Sequence, residues 1–282
     1  MGIYSFFSES LFRKVMQRKR IEVLMRGGLG NQLFGYAAGR ELSARTGLPL
    51  HLVTRSYFTS ALEKRAFELE DILPDRISHG SVSLVKNNWT ESSLEFDESF
   101  RGLGKPVRLE GYFQSPRYFA AISGLLVEEI RASFKQTIRD DDCRENFIGV
   151  HLRRGDYLNL EVRKIHGIVP LEFFQEGIGA LRKALGNLPA RIFSDDLGEA
   201  QELASTLVDA TVFDPERTRS SLETLAVLSK AAGFCLSNST FGWWAAYLSD
   251  QSHVVVPKPW FQDESKRVPD LYLPSWTVLD YR

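Results

Sequence analysis

The chain has 282 residues, 43% of them hydrophobic and 25% charged, with 35 basic side chains against 36 acidic ones and a formal net charge of -1. This is an ordinary globular composition, long enough for two domains or for one large α/β domain. The near-neutral balance excludes generic nucleic-acid binding, which needs many clustered Lys and Arg, so any anion site must be local.

Residues 1–20, MGIYSFFSESLFRKVMQRKR, have an apolar start and a basic end. Serine and glutamate interrupt the apolar part, which makes it a poor signal peptide. The segment reads either as an amphipathic helix resting weakly on an anionic membrane surface or as a solvated extension. No apolar run approaches the roughly 20 residues needed to span a bilayer. The expected setting is therefore cytoplasmic, at most peripheral at the inner membrane. Two cysteines, Cys143 and Cys235, form neither a framework nor a metal-type spacing and are expected as reduced thiols.

Residues 21–25 read as a strand, followed by the turn Arg26-Gly27-Gly28-Leu29-Gly30-Asn31 and a helix that runs to Thr46 and stops at Gly47. A strand over 50–53 completes a β-α-β unit. Residues 54–106 are broken by Pro, Gly, Asn and Ser, with strand character only at 82–85. Residues 107–113 alternate as a strand, and 117–138 are mostly helical. The polar run Arg139-Asp140-Asp141-Asp142 suits a domain boundary at 140/141. Its acidic triplet reads as a solvated loop, with a DxD metal site as the weaker alternative. From 146 onward strands (147–152, 191–193, 211–213, 234–236, 253–256) alternate with helices (170–186, 197–206, 219–232, 240–249). That alternation predicts a parallel sheet covered by helices on both faces.

In such sheets ligands sit beyond the carboxyl ends of the strands. Three of these ends carry polar groups: His151, Arg153 and Arg154; then Ser194, Asp195 and Asp196; then Ser237, Asn238, Ser239 and Thr240. Arginine forks bind phosphate bidentately, and a helix starting at 238–240 offers free N–H groups to an anion. A carboxylate at 195 or 196 can accept the paired N–H groups of a guanine. The bland reading of Arg153 and Arg154 is an ion pair with Asp156. Near the N-terminus, Gly28 and Gly30 resemble a dinucleotide fingerprint, but Leu33 stands at the third glycine position and no acidic residue closes the second strand. This leaves a tight turn open to a ligand, with Asn31 and Gln32 as hydrogen-bonding side chains, or simply a capped turn.

Together the segments Gly27-Gly28-Leu29-Gly30-Asn31-Gln32-Leu33-Phe34, Gly111-Tyr112-Phe113-Gln114-Ser115, His151-Leu152-Arg153-Arg154-Gly155-Asp156-Tyr157, Phe193-Ser194-Asp195-Asp196 and Ser237-Asn238-Ser239-Thr240-Phe241-Gly242-Trp243-Trp244 resemble the α-1,2-fucosyltransferases of glycosyltransferase family 11. Gly35 and Gly242 depart from the pattern, which has larger polar residues there. The resemblance implies a GT-B-like α/β fold with two Rossmann-like domains facing across a cleft. An acceptor-side domain would cover 21–140 and a GDP-fucose-binding domain 141–282. It implies inverting transfer of fucose from GDP-fucose to the 2-hydroxyl of a galactose-type acceptor, with no metal and no cofactor beyond the donor. Arg153 would hold the β-phosphate, and His151 with Asp195 or Asp196 would read the guanine. Arg154, Asn238, Ser239, Thr240, Gly28, Gly30 and Asn31 would complete the donor site. Gln32 and His166 would face the acceptor. Asp156 is either a base for the acceptor hydroxyl or a brace for Arg154.

Overall fold

The computed structural model describes residues 19–54, 66–70, 72, 78–135, 137–139, 142, 145–216, 218–249 and 251–282, with the backbone alone at Asp156 and Leu158. The chain divides into two compact units, Met1–Leu126 and Val127–Arg282.

The first unit holds a five-stranded parallel sheet in the order β3-β2-β1-β5-β4, with β1 Ile21–Leu24, β2 Leu50–Val53, β3 Ser78–Gly80, β4 Asn88–Thr90 and β5 Val107–Glu110. Helix α1 spans Leu29–Thr46, connects β1 to β2 and packs on both. It stops as expected at Gly47, which adopts the left-handed conformation at φ 69°. The strand expected at 82–85 does not form. The cause is Glu22, wholly buried on β1, whose carboxylate accepts the Leu84 N–H and the Ser83 hydroxyl and so takes the bonds a ladder would need. Strand β5 is shorter than expected because the chain turns at Gly111, and Phe113 lies at φ 53°.

The second unit holds a six-stranded parallel sheet in the order β11-β10-β9-β6-β7-β8. The strands are β6 Ile148–Leu152, β7 Ala190–Ser194, β8 Ala210–Val212, β9 Gly233–Leu236, β10 Val254–Lys258 and β11 Thr277–Asp280. β6 and β9 are buried along their whole length, as central parallel strands are. The helices are α2 Ser123–Phe134, which runs across the division between the units, α3 Leu160–His166, α4 Leu171–Leu185, α5 Leu197–Ser205, α6 Ser221–Leu228 and α7 Thr240–Tyr247. Helix α4 turns Phe173, Phe174, Gly177, Ile178 and Leu181 inward at helical spacing. With Ala200 and Leu203 of α5 these cover Ile148, Val150 and Leu152 on one face of β6. Side chains alternate along a strand, so Gly149 faces the other way, where a Cβ would meet Leu228 of α6 and Ala231. Helices therefore cover both faces, as the alternation predicted. Strand β11 and helix α3 were not anticipated. Cys235 is a buried free thiol, which burial pushes up in pKa, and Cys143 lies outside the described residues.

Candidate active site

The second sheet reverses direction at β6: the chain builds β7 and β8 to one side, then places β9 on the other. The carboxyl ends of β6 and β9 thus flank a topological switch point, where open α/β sheets bind ligands. The Ser237 N–H donates to the His151 carbonyl at 2.9 Å, which ties the two strand ends together.

His151, Arg153, Asp195 and Ser237 meet there. Arg153 Nη1 lies 2.6 Å from Asp195 Oδ2, its guanidinium sits 5.6 Å from the Tyr157 ring centre, and its backbone N–H donates to Ser237 Oγ at 3.1 Å. The guanidinium is fixed yet partly open, with 18% side-chain exposure. His151 stacks on Phe241 and lies 3.3 Å from Ser237 Oγ through Nδ1. Burial first, and then the Arg153 charge, push the imidazole down to about 3. The ring is therefore neutral at physiological pH, with one nitrogen able to donate and the other to accept. Gly242 lies against it, since a Cβ there would come within 3.0 Å of Nδ1. Gly35, the other departure from the family pattern, faces Val23 and Met25 in the first unit.

Arg154 is fixed by residues after β7 and on α5. Its side chain is almost wholly buried, and its Nε donates to Glu199 Oε2 at 2.7 Å, while its backbone N–H donates to Asp195 Oδ1 at the same distance. It is a structural arginine turned away from solvent. Asp195 spends one oxygen on the Arg154 N–H and the other on Arg153, so it braces the loop. Asp196 is the N-cap of α5, with Oδ1 accepting the Glu199 N–H. Of Asp156 only the backbone is described.

After β9, Asn238 is structural too: Nδ2 donates to the carbonyls of His166 and Trp260, and its own carbonyl accepts the Tyr157 hydroxyl. Ser239 is the N-cap of α7, and its hydroxyl makes no cap bond. Thr240 opens that helix, whose first N–H groups have no intrahelical acceptor. His166 ends α3 in this second unit, stacked on Tyr157 at 4.5 Å and near Phe261, in the packing that supports Asn238.

The first unit has its own switch point between β1 and β5. Gly27, not Gly28 or Gly30, carries the turn at φ 68°; Gly28 is the N-cap of α1, and Gly30 is buried in its first turn. Asn31 Oδ1 accepts from Gln114 Nε2 at 3.0 Å, which joins the first turn of α1 to the loop after β5. Gln32 is fully buried and spent, with Nε2 donating to the carbonyls of Gly27 and Ala66 and Oε1 accepting the Glu68 N–H. It is a clamp and does not face a ligand.

The acidic triplet splits as well. Asp142 is buried in a two-pronged pair with Arg219, not solvated, and Asp140 and Asp141 lie outside the described residues. Among the described residues no cluster of His, Cys, Asp and Glu has a metal-binding arrangement, and no helix is long and apolar enough to cross a membrane. Sequence reasoning missed Glu199, which sits in a helix with no motif around it. It assigned no role to Tyr157, Ser237 or Phe241, although all three stand inside the motifs.

The family profile for glycosyl transferase family 11 matches residues 80–280. The α-1,2-colitosyltransferase of Escherichia coli is 27% identical, over 90% of this chain and 97% of that protein. The galactoside α-(1,2)-fucosyltransferase 2 of Pongo pygmaeus is 25% identical, over 89% of this chain and 76% of that one. Among solved structures, the ADP-heptose LPS heptosyltransferase II of E. coli superposes with a TM-score of 0.50 at 12% identity, over 92% of this chain and 90% of that one. The fold is accordingly of the GT-B type, with a parallel α/β sheet in each unit. A match over residues 80–280, most of its length and spanning the strand ends that meet at the second switch point, makes this chain a glycosyltransferase and a member of glycosyl transferase family 11.

Proposed function

We propose that the chain transfers L-fucose from GDP-fucose to the 2-hydroxyl of a galactose-type acceptor in an oligosaccharide, with inversion and without a metal ion. The observation that carries this reading is Arg153, a partly open guanidinium clamped at the switch point by Asp195 and Tyr157. The donor pyrophosphate meets that guanidinium and the N-terminal end of α7, whose dipole favours an anion, with the Ser239 and Thr240 hydroxyls beside it. Neutral His151 and Asp196 read the guanine; Asp195 is occupied by the two arginines.

In the reaction the bond from the fucose anomeric carbon to the β-phosphate oxygen breaks and its electron pair stays on that oxygen. The acceptor O2 bonds to the anomeric carbon from the opposite face and releases its proton, for which Asp156 is the candidate base. Negative charge grows on the leaving phosphate, and Arg153 is already in place to meet it. Preorganised donors of this kind are worth about 3–4 kcal/mol each.

The likeness to the colitosyltransferase supports a second reading, in which colitose replaces fucose. A donor screen decides: GDP-fucose, GDP-colitose, GDP-mannose and ADP-heptose are each offered with a panel of β-galactosides in the presence of chelator, and nucleotide release is measured. Turnover with GDP-fucose and a galactoside, undiminished by chelator, is expected. Turnover with GDP-colitose alone moves the donor to the second reading, and tight GDP binding without consumption makes the chain a binding module. Arg153→Ala and Arg153→Lys should lower kcat by about 100-fold or more at an unchanged melting temperature, because lysine lacks the planar fork. Near wild-type turnover in either variant overturns the role of Arg153.

A further inference from the structure

At the first unit's switch point the loop after β5 is held in an unusual way. Gly111 leaves the strand, and a Cβ there would come within 2.6 Å of Glu91 Cβ and 2.7 Å of Glu91 Oε2. Only glycine lets Glu91 approach this closely. Glu91 follows β4 and uses Oε2 to accept the backbone N–H groups of both Tyr112 and Phe113, at 2.8 and 3.1 Å. Burial pushes its carboxyl pKa up, against the two N–H bonds that hold it down. A desolvated carboxylate thus fixes two consecutive residues, the second in a left-handed conformation that is strained for phenylalanine.

The clamp turns the two rings in opposite senses. Phe113 is fully buried, stacked on Trp89 and edge-on to Tyr118. Tyr112 is 39% exposed, among the few large hydrophobic side chains that are. Gln114 is nine-tenths buried; its Nε2 is spent on Asn31, and its Oε1 has no hydrogen-bond partner among the described residues. A buried carbonyl without a donor is costly, and an incoming hydroxyl relieves that cost. An exposed aromatic ring and, two residues on in the same loop, a buried acceptor oxygen suit a pyranose, which offers an apolar face of C–H groups and a rim of hydroxyl donors.

We infer that the 111–115 loop is a carbohydrate subsite, in which Tyr112 stacks on the acceptor sugar, Gln114 Oε1 accepts one of its hydroxyls, and Glu91 is the positioning residue that holds both. This rests on the proposed transfer to a glycan for its kinetic test and stands apart from it for its binding test. In the kinetic test, Tyr112→Ala should raise the acceptor KM about tenfold, the size of a lost stacking contact. Tyr112→Trp should stay within about twofold, since it keeps a ring. GDP-fucose KM and acceptor-independent GDP release should not change in either variant. Glu91→Gln, which keeps the shape but offers the loop an amide, should raise acceptor KM and leave donor KM alone.

In the binding test, lactose and N-acetyllactosamine are titrated by saturation-transfer NMR onto wild type and Tyr112→Ala. Saturable binding that the alanine variant loses is expected, and melting curves establish that both proteins are folded. An unchanged acceptor KM in Tyr112→Ala, or a donor KM that rises in step with it, overturns the subsite. So does equal or absent glycan binding in the two proteins. If wild type consumes no GDP-fucose but Tyr112→Ala still loses glycan binding, the proposed reaction fails and the subsite stands.

Discussion

Gly155 shows how little room the arginine loop leaves. Its φ is 29°, and a Cβ placed there would run into Asp195 Oδ2, the oxygen that holds Arg153. The glycine between Arg154 and Asp156 is there because the Asp195 carboxylate needs its space. Gly155→Ala should therefore push Asp195 off Arg153 and strain the backbone at the same time. The backbone change alone costs about 1 kcal/mol or more of stability. The informative readout is kinetic: the KM of the sugar donor should rise and kcat should fall by about tenfold, while the acceptor KM holds. Wild-type donor kinetics in Gly155→Ala would mean that the Asp195–Arg153 pair does not position the guanidinium. Gly242 makes the same point on the other side of the site, where a larger residue would press on the His151 ring.

At the scale of elements, the loop after β6 is carried by α5. Asp196 caps that helix, and Glu199 in its first turn reaches back to the buried Arg154, whose N–H and neighbouring guanidinium both engage Asp195. The chain of contacts Glu199, Arg154, Asp195, Arg153 links the helix to the partly open guanidinium. Truncating Glu199 leaves Arg154 buried without its counter-ion. Glu199→Ala should lower stability by about 1–3 kcal/mol, discounted from the full cost of a broken buried pair because Glu199 is one-third exposed. Chemical denaturation measures this loss. Glu199→Gln keeps an acceptor for the Arg154 Nε–H and should recover most of both stability and turnover. If Glu199→Ala is as stable and as active as wild type, the helix does not support the loop.

Across the whole molecule, each unit buries a histidine in its neutral form. Burial, then the Arg20 charge, take His51 in the first unit down to about 4; burial and then Arg153 take His151 in the second to about 3. Folding thus favours the unprotonated rings, while the unfolded chain binds protons from about pH 6.5 downward. The stability held by these groups is complete above about pH 6.5 and is lost progressively as pH falls towards 4 and then 3. Unfolding free energies followed from pH 7.5 to 4.5 should decline in wild type and decline less in a His51→Gln, His151→Gln double variant. Equal slopes would mean that neither ring is held neutral.

Much of this architecture was legible in the chain. The β/α alternation from residue 146 onward, the αL stop at Gly47 and the polar ends of β6, β7 and β9 are local patterns, written in side-chain periodicity and in glycine conformation. Helix α3 escaped because its face is exposed, with Leu160 71% accessible, so no apolar stripe marks it. The strand expected at 82–85 failed because a carboxylate 62 positions away from Leu84 took its N–H. The sequence by itself determined which charges stand at the strand ends, since hydrophobic period and turn chemistry act over a few residues. Only the tertiary structure decided their partners: Arg154 pairs with Glu199, 45 positions on, and Gln114 meets Asn31 across 83. Ion pairs and hydrogen bonds depend on distance and desolvation in space, which sequence separation does not encode.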